Sequence, residues 1–305
     1  MDNQLEFQKY LTDTTVFING LNYESAGAKI SIFDRGFLFG DSIYEVCYSD
    51  KGHLLFFEDH LERLQNSARL LKMQFFISIE KITEQVMATL KKSNLEQAYL
   101  RIILTRGESI IALDPNKSFS NNLVTIARPK PSYPQDFYDS GVYLALVDTI
   151  RNDIRSVDPN AKSGNYLNNV MAIEEAKAVG AYDAIMLNKD GKVTEGTTFN
   201  IWIVKNNKII TPPIESGILA GITRKKLLEL IPSLGMNAIE EEITPQQLSE
   251  ADEVFITSST RKLIPVNKVN EHVYGKNSHD WPITAKLMKA YDELIKNQPQ
   301  EYKYL

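Results

Sequence analysis

Cysteine, histidine and long apolar runs are scarce in this chain of 305 residues. Its single cysteine, Cys47, has no partner for a disulfide within the chain, which favours a reducing compartment such as the cytoplasm. The four histidines, His53, His60, His272 and His279, do not share the spacing of zinc ligands. We therefore expect neither a disulfide framework nor a metal site.

An excess of positive charge is also missing. Lysines and arginines number 34 against 39 aspartates and glutamates, so the formal net charge is −5. General nucleic-acid binding needs a basic surface and is not expected. No apolar stretch approaches the ~20 residues that span a bilayer. The start, MDNQLEFQKYL, lacks the basic and apolar parts of a secretion signal. We expect a globular enzyme that acts on small molecules.

Hydrophobic spacing and turn residues predict mixed strands and helices without regular alternation, which argues against a doubly wound parallel sheet. Strands or hairpins are predicted in 15–34, 43–48, 53–56, 99–107, 122–129, 142–150, 183–193, 200–211 and 253–257. Helices are predicted in 56–71, 79–91, 166–179 and 281–296, and from starts near Ile222 and Thr244. Three prolines in RPKPSYPQ (128–135) indicate a linker. We predict domains at 1–130 and 137–305, joined by 131–136.

Two segments of the second half carry the most informative side chains. AKSGNYLNNVMA (161–172) offers Lys162 among small residues before a predicted helix. VTEGTTFN (193–200) offers Glu195 at the end of a predicted hairpin strand. A lysine can bond to an aldehyde while a carboxylate holds a protonated pyridine nitrogen, which is the protein's part in pyridoxal phosphate chemistry. Either residue alone is usually a solvated surface charge, so the pair carries the hypothesis.

Two further segments suit a phosphate group. ESGILAGITRKKLLELI (215–231) places Gly217 and Gly221 before a predicted helix, whose free backbone amides attract anions. Thr223 adds a hydroxyl. In ADEVFITSSTRKLIPV (251–266), a strand runs into four consecutive hydroxyl residues. An ordinary helix entry and a serine–threonine turn would give the same patterns.

Three arginines are candidates for binding anionic groups. Arg63 lies on the predicted helix 56–71, where the alternative is a surface side chain along the apolar stripe. Arg101 and Arg106 fall in one predicted strand. Their odd offset puts them on opposite faces, so at most one should line a given site.

In this order, the segments resemble the class IV (fold type IV) pyridoxal-phosphate aminotransferases from about Thr15 to Asn270. The motifs are DRGFLFGDSIYE, HLERL, YLRIILTRG, AKSGNYLNNVMA, TEGTTFN, GILAGITR and TSST. The resemblance implies an α+β fold with a small N-terminal domain and a larger C-terminal pseudobarrel domain. It further implies a homodimer, pyridoxal 5'-phosphate as cofactor, and ping-pong transamination between an amino acid and a 2-keto acid.

The resemblance also assigns roles around the cofactor ring. Lys162 matches the catalytic lysine that forms the Schiff base. Glu195 matches the acid at the pyridine nitrogen, and Leu219 the residue packed on the ring. Tyr166 looks like the tyrosine near the phenolic oxygen.

At the phosphate end, Arg63 matches the arginine that grips the phosphate. Ile222 and Thr223 match the backbone amides and hydroxyl at the same group. Ser259 and Thr260 match a turn near the phosphate and the substrate carboxylate.

The substrate class is ambiguous from the sequence. DRGFLFGDSIYE resembles the D-amino acid branch, yet the Arg-x-His pair of that branch reads Ile111 and Leu113 here, and its DRGY tyrosine is Phe37. Arg101 and NYLNN resemble branched-chain enzymes, but an arginine frequent in those enzymes is Tyr48. We expect D-amino acid transamination with a non-standard carboxylate pocket. The alternatives are a branched-chain L-amino acid aminotransferase and, less favoured, a 4-amino-4-deoxychorismate lyase.

The expected substrate-binding residues are Phe39, Arg101, Thr260 and Arg261. Arg261 directly follows the TSST turn, where small or acidic residues are more usual in the family. We hypothesise that Arg261 or Arg101 replaces the missing Arg-x-His, because a guanidinium binds a carboxylate bidentately. A solvated Arg261 is the plain alternative.

Overall fold

The computed structural model describes residues 2–298 and 301–305, which divide into two compact units. Unit 1 holds the described residues up to Pro131, together with Ala161–Asn165 and those from Gln298 to Leu305. Unit 2 holds Ser132–Asn160 and Tyr166–Asn297. The first change from unit 1 to unit 2 lies between Pro131 and Ser132, inside the predicted linker 131–136. The sequence assigned Lys162 to the second domain, whereas the structure groups it with unit 1.

Unit 1 is an antiparallel sheet with two long helices. Its strands have the order β2-β1-β6-β5-β3-β4. Its elements are α1 (Asp2–Thr12), β1 (Thr15–Ile18), β2 (Leu21–Tyr23), α2 (Arg35–Phe39), β3 (Ser42–Asp50), β4 (His53–Leu54), α3 (Phe57–Leu70), α4 (Ile79–Ser93), β5 (Ala98–Thr105) and β6 (Asn122–Pro129), with 3₁₀ turns at Ser25–Gly27 and Pro115–Lys117.

The core of unit 1 follows from strand alternation. Leu100, Ile102 and Leu104 of β5 are fully buried, while the intervening residues are half-buried on the other face. The buried face packs with the apolar stripes of α3 and α4, which include Leu64 and Ile82. The other face is left for side chains that can serve a site.

The last residues of the chain complete one edge of this sheet. Lys303 forms a bridge with His53, and the Tyr304 backbone amide donates to the Gly52 carbonyl at 3.0 Å. The Tyr304 hydroxyl lies 2.5 Å from Ser49 Oγ in the buried interior. This C-terminal strap therefore belongs to the first unit although it is the last part of the chain.

Unit 2 contains a closed ring of strands. In its sheet, β10-β13-β14-β7-β8-β9 are neighbours, and β9 also pairs with β10, so the ring closes as a barrel. Its elements are α5 (Gln135–Asp139), β7 (Val142–Leu146), α6 (Leu167–Ala178), β8 (Asp183–Leu187), β9 (Val193–Gly196), β10 (Asn200–Lys205), β11 (Lys208–Thr211), α7 (Ile222–Leu230), β12 (Ala238–Glu240), α8 (Pro245–Ser249), β13 (Glu253–Ser258), β14 (Lys262–Val269), β15 (His272–Val273) and α9 (Pro282–Lys296), with 3₁₀ turns at Ile214–Ser216, Ile231–Leu234 and Ser278–Asp280. The junction of β9 and β10 holds Glu195 opposite Asn200.

One predicted strand is too long. The sequence predicts a strand over 142–150, but β7 ends at Leu146. The backbone amides of Asp148 and Thr149 donate to the Glu175 carboxylate at 2.8 and 3.3 Å, so they are not available to a neighbouring strand. The short polar bend that results leads towards Arg151.

In the described residues, no helix has both the length and the apolar character to cross a membrane.

Candidate active site

The segment Ala161–Asn165 runs along the start of β3 and holds Lys162. The Tyr44 amide donates to the Lys162 carbonyl at 2.9 Å, and the Lys162 amide donates to Ser67 Oγ of α3 at 3.0 Å. A Cβ on Gly164 would lie 2.1 Å from Ser42 Oγ, so a side chain there would displace the Ser42 hydroxyl. The backbone of Lys162 is thus fixed on both sides, and its side chain is half-buried.

A tyrosine ring lies next to both Lys162 and Arg101. Lys162 Nζ is 4.5 Å from the centre of the Tyr44 ring, and the Arg101 guanidinium carbon is 4.1 Å from the same centre. The open face of the sheet thus places both the amine and one arginine within cation–π distance of the same ring. Arg106 follows β5 and turns the other way, donating to the Leu71 carbonyl at 3.0 Å and pairing with Asp41 at 2.7 Å. The opposite orientation expected of the two arginines is observed.

Arg63 lies on the buried side of α3 in a cluster with Glu45 and His60. Its Nε and NH2 donate to the two carboxylate oxygens of Glu45 at 2.8 and 2.7 Å, and His60 Nδ1 lies 2.7 Å from the same carboxylate. Burial alone raises the pKa of Glu45, but the Arg63 charge and the hydrogen bonds of Arg63 and His60 bring it down to about 2. Burial lowers the pKa of His60. The cluster holds the Arg63 guanidinium firmly, and the sequence analysis did not identify Glu45 as its partner.

In unit 2, Glu195 is 4% exposed, and its two carboxylate oxygens accept hydrogen bonds from Arg151, Asn200 and the Leu219 amide. Arg151 Nε and NH2 donate to Oε1 at 3.1 and 2.9 Å. Asn200 Nδ2 and the Leu219 amide donate to Oε2 at 3.2 and 3.0 Å. A negative carboxylate is therefore held in one orientation by one guanidinium, one amide side chain and one backbone amide.

Arg151 is a site residue that sequence reasoning missed. Its NH1 also lies 3.3 Å from Asn168 Oδ1 and 3.2 Å from Asn169 Oδ1 on α6, so one guanidinium ties Glu195 to the helix after Lys162. Tyr166 is the residue directly before this helix, and its carbonyl accepts from the Val170 amide at 2.9 Å. The NYLNN segment contains both asparagines and was a usable signal for a buried cation.

The start of α7 offers uncapped backbone amides. Gly221 occupies the N-cap position and has no side chain to accept from the first turn, which begins with the buried residues Ile222 and Thr223. The Tyr291 hydroxyl of α9 lies 3.4 Å from Thr223 Oγ1. This helix start therefore has the donors that an anion needs.

The turn between β13 and β14 holds the remaining predicted residues. Ser259 and Thr260 are half-buried, and Thr260 Oγ1 lies 3.2 Å from Ser258 Oγ. Arg261 NH1 donates to Thr198 Oγ1 at 3.0 Å, and NH2 lies 3.4 Å from Asp183 Oδ2. Arg261 is therefore not a solvated side chain, because acidic and hydroxyl partners already engage its guanidinium.

Phe39 is the last residue of α2 and lies in unit 1. The Arg35 guanidinium carbon is 5.0 Å from the centre of its ring. Phe39 is partly exposed, at 36%.

Comparison with known proteins decides the family. The model of the family described as "Amino-transferase class IV" matches residues 42–269. The chain belongs to the class IV aminotransferases. It is 34% identical to a putative branched-chain-amino-acid aminotransferase of Methanocaldococcus jannaschii, over 92% of this chain and 96% of the relative. It is 32% identical to a D-alanine aminotransferase of Bacillus licheniformis, over 92% of this chain and 96% of that protein.

Solved structures show the same fold for this aminotransferase. A branched-chain aminotransferase of Thermoproteus uzoniensis superimposes with a TM-score of 0.86 at 29% identity, covering 95% of this chain and 97% of the other. The Escherichia coli branched-chain amino acid aminotransferase gives a TM-score of 0.88 at 25% identity, with the same coverage. The family and the two-domain α+β fold class expected from the sequence are confirmed.

Pyridoxal 5'-phosphate is the cofactor of this class of aminotransferase. The side chains present fit it chemically. Lys162 has an amine of the kind that bonds to an aldehyde, and Glu195 has a buried carboxylate of the kind that binds a protonated ring nitrogen. The uncapped amides that follow Gly221 suit a phosphate. Within the described part of the chain, no group of three or more histidine, cysteine, aspartate or glutamate side chains could hold a metal ion.

Proposed function

We propose that this enzyme transfers the amino group of D-amino acids to 2-keto acids by a ping-pong reaction, with Arg101 as the carboxylate-binding residue. The observation that carries the proposal is that Lys162 Nζ and the Arg101 guanidinium both lie within 4.5 Å of the centre of the Tyr44 ring. Relatives named D-alanine aminotransferases, 32% and 34% identical over most of the chain, support the substrate class.

The mechanism assigns proton transfer to Lys162. When bound, pyridoxal phosphate supplies an electron sink for the negative charge at the substrate Cα. Lys162 Nζ would take the proton that leaves the substrate Cα and would return a proton there in the reverse half of the reaction. Glu195 would hold a proton at the ring nitrogen, and Arg151 keeps the Glu195 carboxylate in place. The amino-donor half and the keto-acid half of the reaction would both use Lys162 and Glu195, with the proton moving in opposite directions.

The other residues bind and orient. Arg63, Ile222 and Thr223 are proposed to hold the phosphate, so that the reacting atoms stay fixed. Leu219 is proposed to pack on the ring and Tyr166 to bond to the phenolic oxygen. Ser259 and Thr260 are proposed to contribute hydroxyl or backbone donors near the phosphate and the substrate carboxylate. Phe39 is proposed to contact the substrate.

Arg101 is a better carboxylate partner than Arg261. Arg261 is engaged by Asp183 and Thr198, and moving it would leave the buried Asp183 carboxylate without its cation. Arg101 contacts an aromatic face, which leaves the edge of its guanidinium for a planar bidentate partner. The loop where the D-branch has Arg-x-His carries the exposed apolar residues Ile111 and Leu113 instead.

Arg101→Leu should raise the KM for both the amino donor and the keto acid by roughly 10- to 100-fold, because a charged hydrogen-bond partner is lost. The amount of cofactor that Arg101→Leu retains should equal that of the wild type. Arg128→Leu is the matched control, since Arg128 is also stacked on a tyrosine, at 3.8 Å from the Tyr10 ring centre. Steady-state kinetics of both variants check this, and an unchanged KM in Arg101→Leu would remove Arg101 from the site.

Stereochemistry is tested by half-reactions. We expect D-alanine and D-glutamate to bleach the visible absorbance of the bound cofactor faster than L-leucine, L-glutamate or L-alanine. The readout is the first-order rate constant at saturating amino acid. If only the L-amino acids bleach the cofactor, the D-amino acid proposal fails while the aminotransferase assignment stands.

A branched-chain L-amino acid aminotransferase is the second candidate. It is favoured by the Methanocaldococcus jannaschii relative and by the two solved branched-chain aminotransferases that share this fold. In that case Arg101 would bind the side-chain carboxylate of glutamate as amino donor. Arg101→Leu would then impair glutamate but leave leucine nearly unaffected.

We also propose a homodimer in the cytoplasm. Unit 1 exposes the apolar side chains of Phe33, Phe37, Ile110, Ile111 and Leu113, which are 47% to 79% exposed. The two segments that carry them are neighbours, because the Ser109 amide donates to the Phe33 carbonyl at 3.2 Å. A monomer mass in solution would contradict the dimer.

The cytoplasm is proposed as the compartment because the buried thiol of Cys47 suits a reducing environment.

A further inference from the structure

Asn200 joins two groups that the proposed function assigns to the cofactor. It is the first residue of β10, is 4% exposed and stands opposite Glu195 across the barrel junction. Its Nδ2 donates to Glu195 Oε2 at 3.2 Å and to the Leu219 carbonyl at 2.9 Å. The Leu219 amide donates to the same Oε2 at 3.0 Å. The three residues therefore form a closed ring of hydrogen bonds.

The other side of the Asn200 amide lies against the start of α7. A Cβ on Gly221 would be 2.0 Å from Asn200 Oδ1, so the amide fills the space that any other side chain at this position would need. Gly221 is also the N-cap of the helix whose first amides are proposed to bind phosphate. One side chain thus contacts the carboxylate, the leucine and the helix start.

We propose that Asn200 is a positioning residue that sets the spacing between Glu195, Leu219 and the N-terminus of α7. The inference rests on the proposed function, in which Glu195 binds the pyridine nitrogen, Leu219 packs on the ring face and the start of α7 binds the phosphate. A cofactor of fixed length needs them at fixed separation. Asn200 does not touch substrate in this scheme, so it acts through the groups that it holds.

The expected effect follows from the two lost bonds, one of them to a charged carboxylate. Asn200→Ala should weaken cofactor binding by about 10- to 100-fold. It should also lower kcat with little change in KM for the amino donor, since Glu195 would no longer be held against the ring nitrogen. Asn200→Asp keeps the shape but replaces the donor by a second acidic group next to Glu195, so its loss should be at least as large.

The experiment titrates each purified protein with pyridoxal phosphate and follows its visible absorbance from pH 6 to pH 9. Variants are wild type, Asn200→Ala, Asn200→Asp and Gly221→Ala, which leaves Asn200 in place but presses on its Oδ1. Asn267→Ala is the matched control, because Asn267 Nδ2 also donates to two backbone carbonyls in unit 2, at 2.8 and 3.1 Å. Melting temperatures report any general loss of stability.

The inference predicts that the Asn200 and Gly221 variants raise the cofactor dissociation constant and change the pH dependence of the absorbance, while Asn267→Ala does neither. Wild-type values for a folded Asn200→Ala or Asn200→Asp would overturn it. Equal effects in Asn267→Ala would also overturn it, since they would show a general structural role. A wild-type protein that binds no pyridoxal phosphate would instead defeat the proposed function itself.

Discussion

Lys162→Ala should lower the rate of transamination by roughly 10³-fold or more, because one amine both bonds to the cofactor and moves the proton. The variant should also lack the visible absorbance that the wild type gains with pyridoxal phosphate. Its fold should be retained, since the backbone amide and carbonyl of Lys162 make the contacts to Ser67 and Tyr44. Single-turnover assays and absorbance spectra measure the two losses.

Lys189→Ala is the control for the loss of a lysine. Lys189 lies in the exposed turn before Gly191 and pairs only loosely with Asp190, at 3.2 Å. The Lys189→Ala variant should keep full transaminase activity and the full visible absorbance of the wild type. Residual transamination near wild-type level in Lys162→Ala would mean that another amine does the chemistry, and the assignment of the site would have to be abandoned.

Glu45→Gln should destabilise the enzyme at neutral pH and flatten its acid denaturation. Burial raises the pKa of Glu45, but Arg63 and His60 lower it more strongly, so that it falls from 4.5 to about 2. Because the folded pKa lies below the unfolded one, the carboxylate stabilises the fold above pH 4.5 and loses this effect as pH falls towards 2. The shift corresponds to roughly 3 kcal/mol, and removing the charge also leaves Arg63 buried without its partner.

Denaturant unfolding between pH 7 and pH 3 checks this prediction. The free energy of unfolding of the wild type should fall below pH 4.5. That of Glu45→Gln should already be lower at pH 7 and should change less down to pH 3. Asp153→Asn is a useful control, because the Asp153 pKa is also lowered to about 2, chiefly by hydrogen bonds from Arg155, but the group is exposed. We expect a much smaller change there. Parallel curves for wild type and Glu45→Gln would be inconsistent with a stabilising ion pair.

The sequence predicted best where short-range patterns decide the structure. The hairpin at Asn19-Gly20 forms as expected, and Ser78 caps α4 through a hydrogen bond from the Lys81 amide. Strand β6 has the predicted bounds, Asn122–Pro129. These features depend on turn geometry, capping and apolar spacing, all of which are local.

The misses depend on contacts between distant residues. Strand β14 was not predicted because Lys262 and Pro265 are poor strand residues, yet β13 and β7 pair with it on both sides. Arg151 looked like any loop arginine, since its partner Glu195 is far along the chain. Glu45 could not be recognised as the partner of Arg63 until α3 packed on β3. Side-chain partners of buried charges are a product of the assembled fold.

The C-terminal strap has a consequence for the order in which the protein can be made. Unit 1 holds the described residues up to Pro131, but it also contains Ala161–Asn165 and those from Gln298 on, so its sheet cannot be completed before unit 2 has been synthesised. Until then, β4 lacks the bridge between His53 and Lys303, and Ser49 lacks the Tyr304 hydroxyl. An open strand edge during synthesis invites wrong pairing. The unit whose synthesis starts first is therefore completed after the second, and the segment that holds Lys162 joins it in between.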